Sequence, residues 1–158
     1  MGDMSHIVIY LSGDVRPSGR CLSMYEQTIT VPGKPIAKKR PRFFRRGKFV
    51  GTYNEQETEE GKFMLLINNQ WNFPPIDKGI KVELGCTFYM PIPKSTSKKK
   101  RENLNYHTKK PDLDNLVKFV KDCANGIIWH DDSQVAILTA GKYYSKNPRT
   151  EIMVRWEG

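Results

Sequence analysis

The sequence predicts an α+β domain in which two main helices pack on a mixed sheet, giving two layers. Three observations predict it: segments in which polar and apolar residues alternate, two runs with apolar residues at helical spacing, and their order of strand, helix, strand, helix, strand, strand. At 158 residues, 38% of them hydrophobic, the chain suffices for one core and not for two.

Residues 1–23 hold Gly, Ser, Pro and Asp without a sustained period and are expected to be an extension, leaving 24–158 as the domain. Tyr25, Gln27, Ile29 and Val31 alternate with Glu26, Thr28 and Thr30, a strand pattern that ends at Pro32-Gly33. Arg42-Phe43-Phe44 and Lys48-Phe49-Val50 flank Arg45-Arg46-Gly47, which suits a short hairpin with glycine in its turn; its aromatics either pack inward or stack on bases. Asn54 followed by Glu57 resembles a helix start, and Phe63, Leu66, Ile67 and Trp71 share one stripe. The first helix is therefore expected over 54–70, stopped before Pro74-Pro75.

Residues 80–90, rich in Val, Leu, Phe and Tyr, read as a strand. Residues 91–110 carry prolines, serines and a lysine run without periodicity and read as a long, mobile loop. Leu113, Leu116, Val117, Val120 and Ala124 follow helical spacing, with Pro111 before them and Asn125-Gly126 as a left-handed close, so a second helix spans 113–124. Residues 135–144 and 150–156 then form two strands joined by a turn at 145–148.

The longest apolar run, Ile7 to Leu11, falls far short of the roughly 20 residues that span a bilayer, which excludes a membrane helix. No basic segment followed by an apolar stretch and a small-residue cleavage site marks a secretory signal. Cys21, Cys86 and Cys123 are odd in number and widely spaced. They offer no zinc cage and suit a reducing compartment, so a cytoplasmic location is expected. The net charge of +9 favours polyanions. Its distribution is uneven: Lys34, Lys38, Lys39, Arg40, Arg42, Arg45, Arg46 and Lys48 form one block, and Lys94, Lys98, Lys99, Lys100, Arg101, Lys109 and Lys110 another. Either block alone reads equally as a solvated loop, but two flanking ordered elements point towards nucleic acid.

The chemistry concentrates in Lys109-Lys110-Pro111-Asp112-Leu113-Asp114-Asn115-Leu116-Val117-Lys118 and in Trp129-His130-Asp131-Asp132-Ser133-Gln134. A bland account is available for the first: Asp112 caps the helix and Asp114 pairs with Lys118 one turn on, worth a few tenths of a kcal/mol. For the second it is an Asp-rich turn. Together, however, they place several carboxylates at element ends in a basic region. Carboxylate oxygens are preferred ligands of Mg²⁺, which polarises a phosphodiester, while a nearby lysine neutralises phosphate charge. An EF-hand loop would need glycine where Val117 stands, and an aspartyl nucleophile would follow an apolar strand, not His107-Thr108-Lys109-Lys110-Pro111. The chain also lacks a Gly-rich phosphate loop, a Gly-x-Ser-x-Gly elbow and a His-Glu-x-x-His pair. His130 reads as a surface histidine.

These residues resemble the RusA endodeoxyribonucleases that resolve Holliday junctions. The resemblance rests on Val31-Pro32-Gly33-Lys34-Pro35 with Lys39-Arg40-Pro41-Arg42, on Lys110 to Leu116 with Lys118, and on Asn125-Gly126 with 129–135. It covers about Tyr25 to Trp156. It implies a homodimer, often prophage-encoded, that cleaves branched DNA, above all four-way junctions, in recombination and repair. The implied cofactor is Mg²⁺, with Mn²⁺ as a substitute. On the matching positions Asp112, Asp114 and Asp132 look like catalytic metal ligands, with Asp131 adjacent, and Lys118 like the catalytic lysine. DNA contacts are expected from Lys38, Lys39, Arg40, Arg42, Arg45, Arg46, Lys98, Lys99, Lys100, Arg101, Lys109 and Lys110. A non-catalytic nucleic-acid-binding protein and a nuclease acting on other branched DNA are the competing expectations.

Overall fold

A computed structural model of the chain describes residues 7–11, 23–40, 42–101 and 103–158. The described residues form seven strands, β1 (Ile7–Leu11), β2 (Ser23–Pro32), β3 (Arg42–Arg46), β4 (Phe49–Tyr53), β5 (Val82–Pro91), β6 (Val135–Ser145) and β7 (Arg149–Glu157). The helices are α1 (Glu57–Gln70), α2 (Lys98–Arg101) and α3 (Leu113–Ala124), with a 3-10 turn at Asp132–Gln134. Five strands make one mixed sheet in the order β1-β2-β7-β5-β6, and β3 with β4 forms a separate hairpin whose turn holds Gly47 at φ 65°. This is the expected α+β two-layer arrangement.

Strand periodicity decides which face is covered. Gln27, Ile29 and Val31 of β2, alternate residues Val82 to Met90 of β5, and Thr150, Ile152, Val154 and Trp156 of β7 are all buried on one side. Helices α1 and α3 cover that side with Phe63 and Ile67 from one and Leu116, Val117, Phe119, Val120, Cys123 and Ala124 from the other. The two helices lock through the Phe63 and Phe119 rings, edge to face with centroids 5.1 Å apart. Burial pushes the thiols of Cys86 and Cys123 up to about 12, so both are inert packing groups. The opposite sheet face is uncovered by the described residues and is crossed by Arg155, which donates to Glu26 at 2.6 Å and to Glu83 at 3.3 Å.

Helix α3 has the expected bounds, and Gly126 beyond it adopts φ 77°. Three local expectations need correction. Ile7–Leu11, assigned to an extension, pairs antiparallel with β2 from Ile7↔Gln27 to Leu11↔Ser23; its unbroken apolar run hid the strand from a search for alternation. Helix α1 begins at Glu57, not Asn54, because the Asn54 side chain accepts the Gln56 N–H at 3.0 Å and closes a turn before the helix. The 91–110 segment is not featureless: it contains α2, and Tyr106 bridges to Tyr143. The last two strands are joined by the short connection expected, and the sheet places β5 between them, with β6 parallel to β5. The side chains of Phe43, Phe44 and Phe49, like Cys21, lie outside the described residues.

Candidate active site

The unit β5, α3, β6 positions the site. Because α3 returns across the sheet before parallel β6 begins, its exposed stripe lies alongside the edge strand. The loop from α3 to β6 is fixed by Trp129, which is fully buried, donates its indole N–H to the Asn125 side chain at 2.8 Å and bridges to Ile76. That anchor delivers His130, Asp131 and Asp132 to the start of β6.

The two adjacent aspartates then part company. Asp131 caps the 3-10 turn: its Oδ1 accepts the Ser133 N–H at 2.8 Å, and the Gln134 side chain accepts the N–H groups of His130 and Asp131. Hydrogen bonding from Ser133, first its hydroxyl and then this backbone N–H, holds the Asp131 carboxyl below its ordinary range. Asp132 instead faces an open depression of about 590 Å³ lined by Leu113, Asp114, Val117, Lys118, Lys121, Asp132, Leu138 and Ala140. Its Oδ2 is 3.2 Å from Nζ of Lys121.

Both halves of the bland account of the first motif fail. Asp112 occupies the N-cap position of α3 in extended geometry, but its side chain makes no capping hydrogen bond. Asp114 and Lys118, one turn apart and both exposed, form no ion pair. Among the described residues, Asp112, Asp114 and Lys118 therefore carry free charges. The depression has an apolar floor and a charged rim, with Asp114, Lys118 and Lys121 at successive turns of α3. Lys121 escaped the sequence reading: its only signal was the three-residue spacing from Lys118, and its partner arrives from a distant loop.

The three expected metal ligands do not converge. Among the described residues no three carboxylate, imidazole or thiolate groups stand together as a metal cage. Lys121, which holds Asp132, lies seven residues beyond Asp114, about 10 Å along the helix axis. The donor set is nevertheless all oxygen and suits a hard cation. Mg²⁺ commonly takes one or two carboxylates and completes its shell with water and substrate phosphate.

The early basic motif is brought to the same end of α3. Lys38 donates its backbone N–H to the Asn115 carbonyl at 2.9 Å, and its ammonium reaches Glu60 at 2.8 Å and Asp122 at 3.3 Å. Burial alone would lower the Lys38 pKa, but hydrogen bonds to Glu60 and Asp122 outweigh it and the net shift is upward. Lys38 is thus a tie between α1 and α3. Buried Gln56, also unflagged by sequence, holds the segment by accepting from Lys39 N at 2.6 Å and donating to the Ala37 carbonyl at 2.9 Å. A second cavity of about 490 Å³ follows, lined by residues 34–39 with Gln56, Glu59 and Pro111. Of the other expected DNA contacts, Arg42 pairs with Glu55 at 3.2 Å and Arg101 donates to the carbonyls of Thr96 and Lys94. Lys39, Arg40, Arg45, Arg46, Lys98, Lys99, Lys100, Lys109 and Lys110 are exposed or half-exposed.

The Lys109–Asp112 approach is pinned from β6, where Lys142 donates to the carbonyls of Lys109 and Pro111, each at 2.6 Å. Beside it His107 is buried, and its Nδ1 has no partner among the described residues; burial and then the Lys142 charge hold its pKa below the ordinary value. His130 is exposed, as expected. Among the described residues no helix is long and apolar enough to cross a membrane.

Residues 32–155 match the family described as Endodeoxyribonuclease RusA. The chain is 41% identical over 133 residues to the uncharacterized protein YqaN of Bacillus subtilis (strain 168), covering 80% of this chain and 93% of that one. It is 33% identical over 79 residues to the crossover junction endodeoxyribonuclease rusA of Lactococcus phage r1t, covering 49% of this chain and 56% of that one. The family match begins at the Pro32 turn and runs through both aspartate segments to β7, so the chain belongs to the RusA family of endodeoxyribonucleases.

Proposed function

We propose that the protein is a Mg²⁺-dependent, structure-selective endonuclease that cuts four-way DNA junctions in recombination and repair. The observation that carries this reading is the depression along α3, where Asp114, Lys118, Lys121 and Asp132 share one rim while neither Asp112 nor Asp114 is used in capping or pairing. Asp112, Asp114 and Asp132 stand apart in this structure, so they would hold the ion only together with water and substrate phosphate that complete its shell. When bound, it supplies positive charge that polarises the scissile phosphodiester and stabilises the departing oxygen. Lys118 neutralises the phosphate from the chain's own side, and Lys121 holds Asp132 at the rim. Asp131 keeps its structural task in the turn. Incubation with a synthetic four-way junction, a flap, a fork and linear duplex, each with and without Mg²⁺, tests the reading. Paired nicks on the junction with Mg²⁺ are expected; binding without any cleavage overturns it in favour of a non-catalytic binding protein.

Two equivalent active sites suit the two-fold symmetry of a junction, so the working form is a homodimer. The supporting surface is the outer edge of β6. Among the described residues, Asn105 to His107 pairs with that edge at its far end alone, through His107 N to Lys142 O and Tyr144 N to Asn105 O. Residues 135–141 carry no charge and no proline, the usual guards of an exposed edge, and Ile137 and Leu138 are 43% and 50% exposed there. Sedimentation equilibrium at micromolar concentration should show a dimer, and Ile137→Glu should shift it towards monomer. A parent chain that is monomeric with and without junction DNA contradicts this.

The exposed lysines of α2 supply phosphate contacts that carry no sequence information. Replacing Lys98, Lys99, Lys100 and Arg101 together by Ala should weaken junction binding and flatten its salt dependence by up to about 0.9 per lost contact on a log–log plot. Unchanged affinity and slope would move the DNA track to the Lys39 to Arg46 block.

A further inference from the structure

The sheet face opposite the helices, uncovered by the described residues, carries a row of aromatic rings that the cleavage chemistry does not use. Tyr89 of β5 and Tyr143 of β6 are register partners on that face, with ring centroids 6.1 Å apart. Tyr106 extends the row from the neighbouring loop, 5.2 Å from Tyr143. At the other end the guanidinium of Arg149 sits 3.7 Å from the centre of the Tyr89 ring.

Packing explains part of this row and leaves the rest unaccounted for. Tyr143 lies across Gly141: a Cβ built there would meet its ring at 2.8 Å, so the tyrosine covers a glycine that no side chain fills. Tyr106 covers nothing comparable and is 65% exposed, although its backbone is held by the flanking hydrogen bonds of Asn105 and His107 to β6. A large ring kept in water by an ordered backbone is a surface prepared for a ligand with a flat face. Beside the row, the missing side chains of Gly85 and Gly141 leave a cavity of about 350 Å³, with Thr87, Thr139 and Glu151 among its polar lining. The carboxylate of Glu151 is neutralised by Arg149 at 2.7 Å, so it does not repel a polyanion.

The geometry points to a second nucleic-acid site on this face, a stacking platform for the unpaired bases of a single strand. Aromatic rings stack on bases without regard to sequence, and the net charge of +9 on the whole chain attracts the backbone at longer range. The route onward is short in sequence. From Tyr106 the chain wraps the β6 edge through buried His107 to Lys109 and Pro111, both held by Lys142, and arrives at Asp112. Unpaired DNA resting on the tyrosines would thus be led around the sheet edge towards the carboxylates. The inference rests on the nucleic-acid reading of the protein but not on its cleavage chemistry.

Fluorescence anisotropy of the full chain with labelled oligothymidine, and with duplex of equal length, tests it in the absence of divalent metal. Tyr106→Ala should weaken single-strand binding about fivefold or more, while duplex binding changes by less than about twofold. Tyr106→Phe, which keeps the ring, should bind like the parent. The salt slope should be the same in all three, because no cationic contact is removed. Photocrosslinking of an oligonucleotide carrying 5-iodouracil should label Tyr106, Tyr143 or Tyr89. Unchanged single-strand affinity in Tyr106→Ala, or an equal loss on duplex, overturns the platform, whatever the junction assay shows. A loss of affinity accompanied by conversion of a dimer to monomer also overturns it, since the row would then be a subunit contact. Loss of junction cleavage with this binding pattern intact would instead overturn the nuclease reading alone.

Discussion

Asp112→Asn, Asp114→Asn and Asp132→Asn should each lower the single-turnover rate of junction cleavage by about a thousandfold or more while leaving junction affinity equal or higher. Each exchange keeps the shape of the side chain and removes one anionic oxygen donor, so the ion is lost and repulsion of phosphate falls. The fold should be indifferent to all three. Among the described residues Asp112 makes no capping bond and Asp114 no ion pair, and Asp132 stands in a half-exposed pair with Lys121 of the kind worth about 0–1 kcal/mol. Thermal unfolding within a few degrees of the parent is the companion measurement. Asp131→Asn is the internal control: asparagine also caps, so cleavage should survive. Near-parental rates in all three variants sink the assignment of the carboxylates, and a loss of rate that tracks unfolding returns them to a structural role.

The control separates two neighbours that the sequence does not. Asp131 and Asp132 differ in task because one falls at the N-cap of a 3-10 turn and the other at its first residue, a difference of local backbone geometry that composition does not encode. The same limit applies to Asp114 and Lys118. Their four-residue spacing permits an ion pair, yet the rotamers leave them apart, and Lys121 pairs instead with Asp132 from the turn before β6. What was legible is the element whose stability is local. The stripe of α3 is strongly amphipathic and its bounds follow directly from Leu113 to Ala124. Alternation along β2 likewise marked a strand with one buried face, whereas β5 and β7 were legible as strands without a face being assigned to them. Strand order was not legible, because placing β5 between β6 and β7 depends on the long return through α3 and not on the short turn at 146–148. The platform tyrosines were invisible for the same reason: Tyr89, Tyr106 and Tyr143 become neighbours only once β5 and β6 lie parallel and the intervening loop folds back on the edge.

Lys118→Ala should lower the maximal single-turnover rate by about a hundredfold and change junction affinity little. The asymmetry follows from number and position. The protein holds 26 lysines and arginines, so the loss of one removes at most about 0.9 from the salt slope of binding. Lys118, however, stands midway along the depression between Asp114 and Lys121 with no partner among the described residues, and its ammonium is free to meet charge that develops on the phosphate. Lys121 makes a useful contrast because its charge is already committed to Asp132. Lys121→Ala should therefore alter the Mg²⁺ concentration that gives half-maximal rate more than the rate at saturating Mg²⁺, as expected of a positioning residue. If Lys118→Ala cuts at the parental rate on saturating junction, Lys118 is an ordinary exposed residue of α3. If both lysine variants lose rate equally at saturating Mg²⁺, the division between a charge that meets the phosphate and a charge that holds Asp132 is wrong, and the two act together as one electrostatic patch.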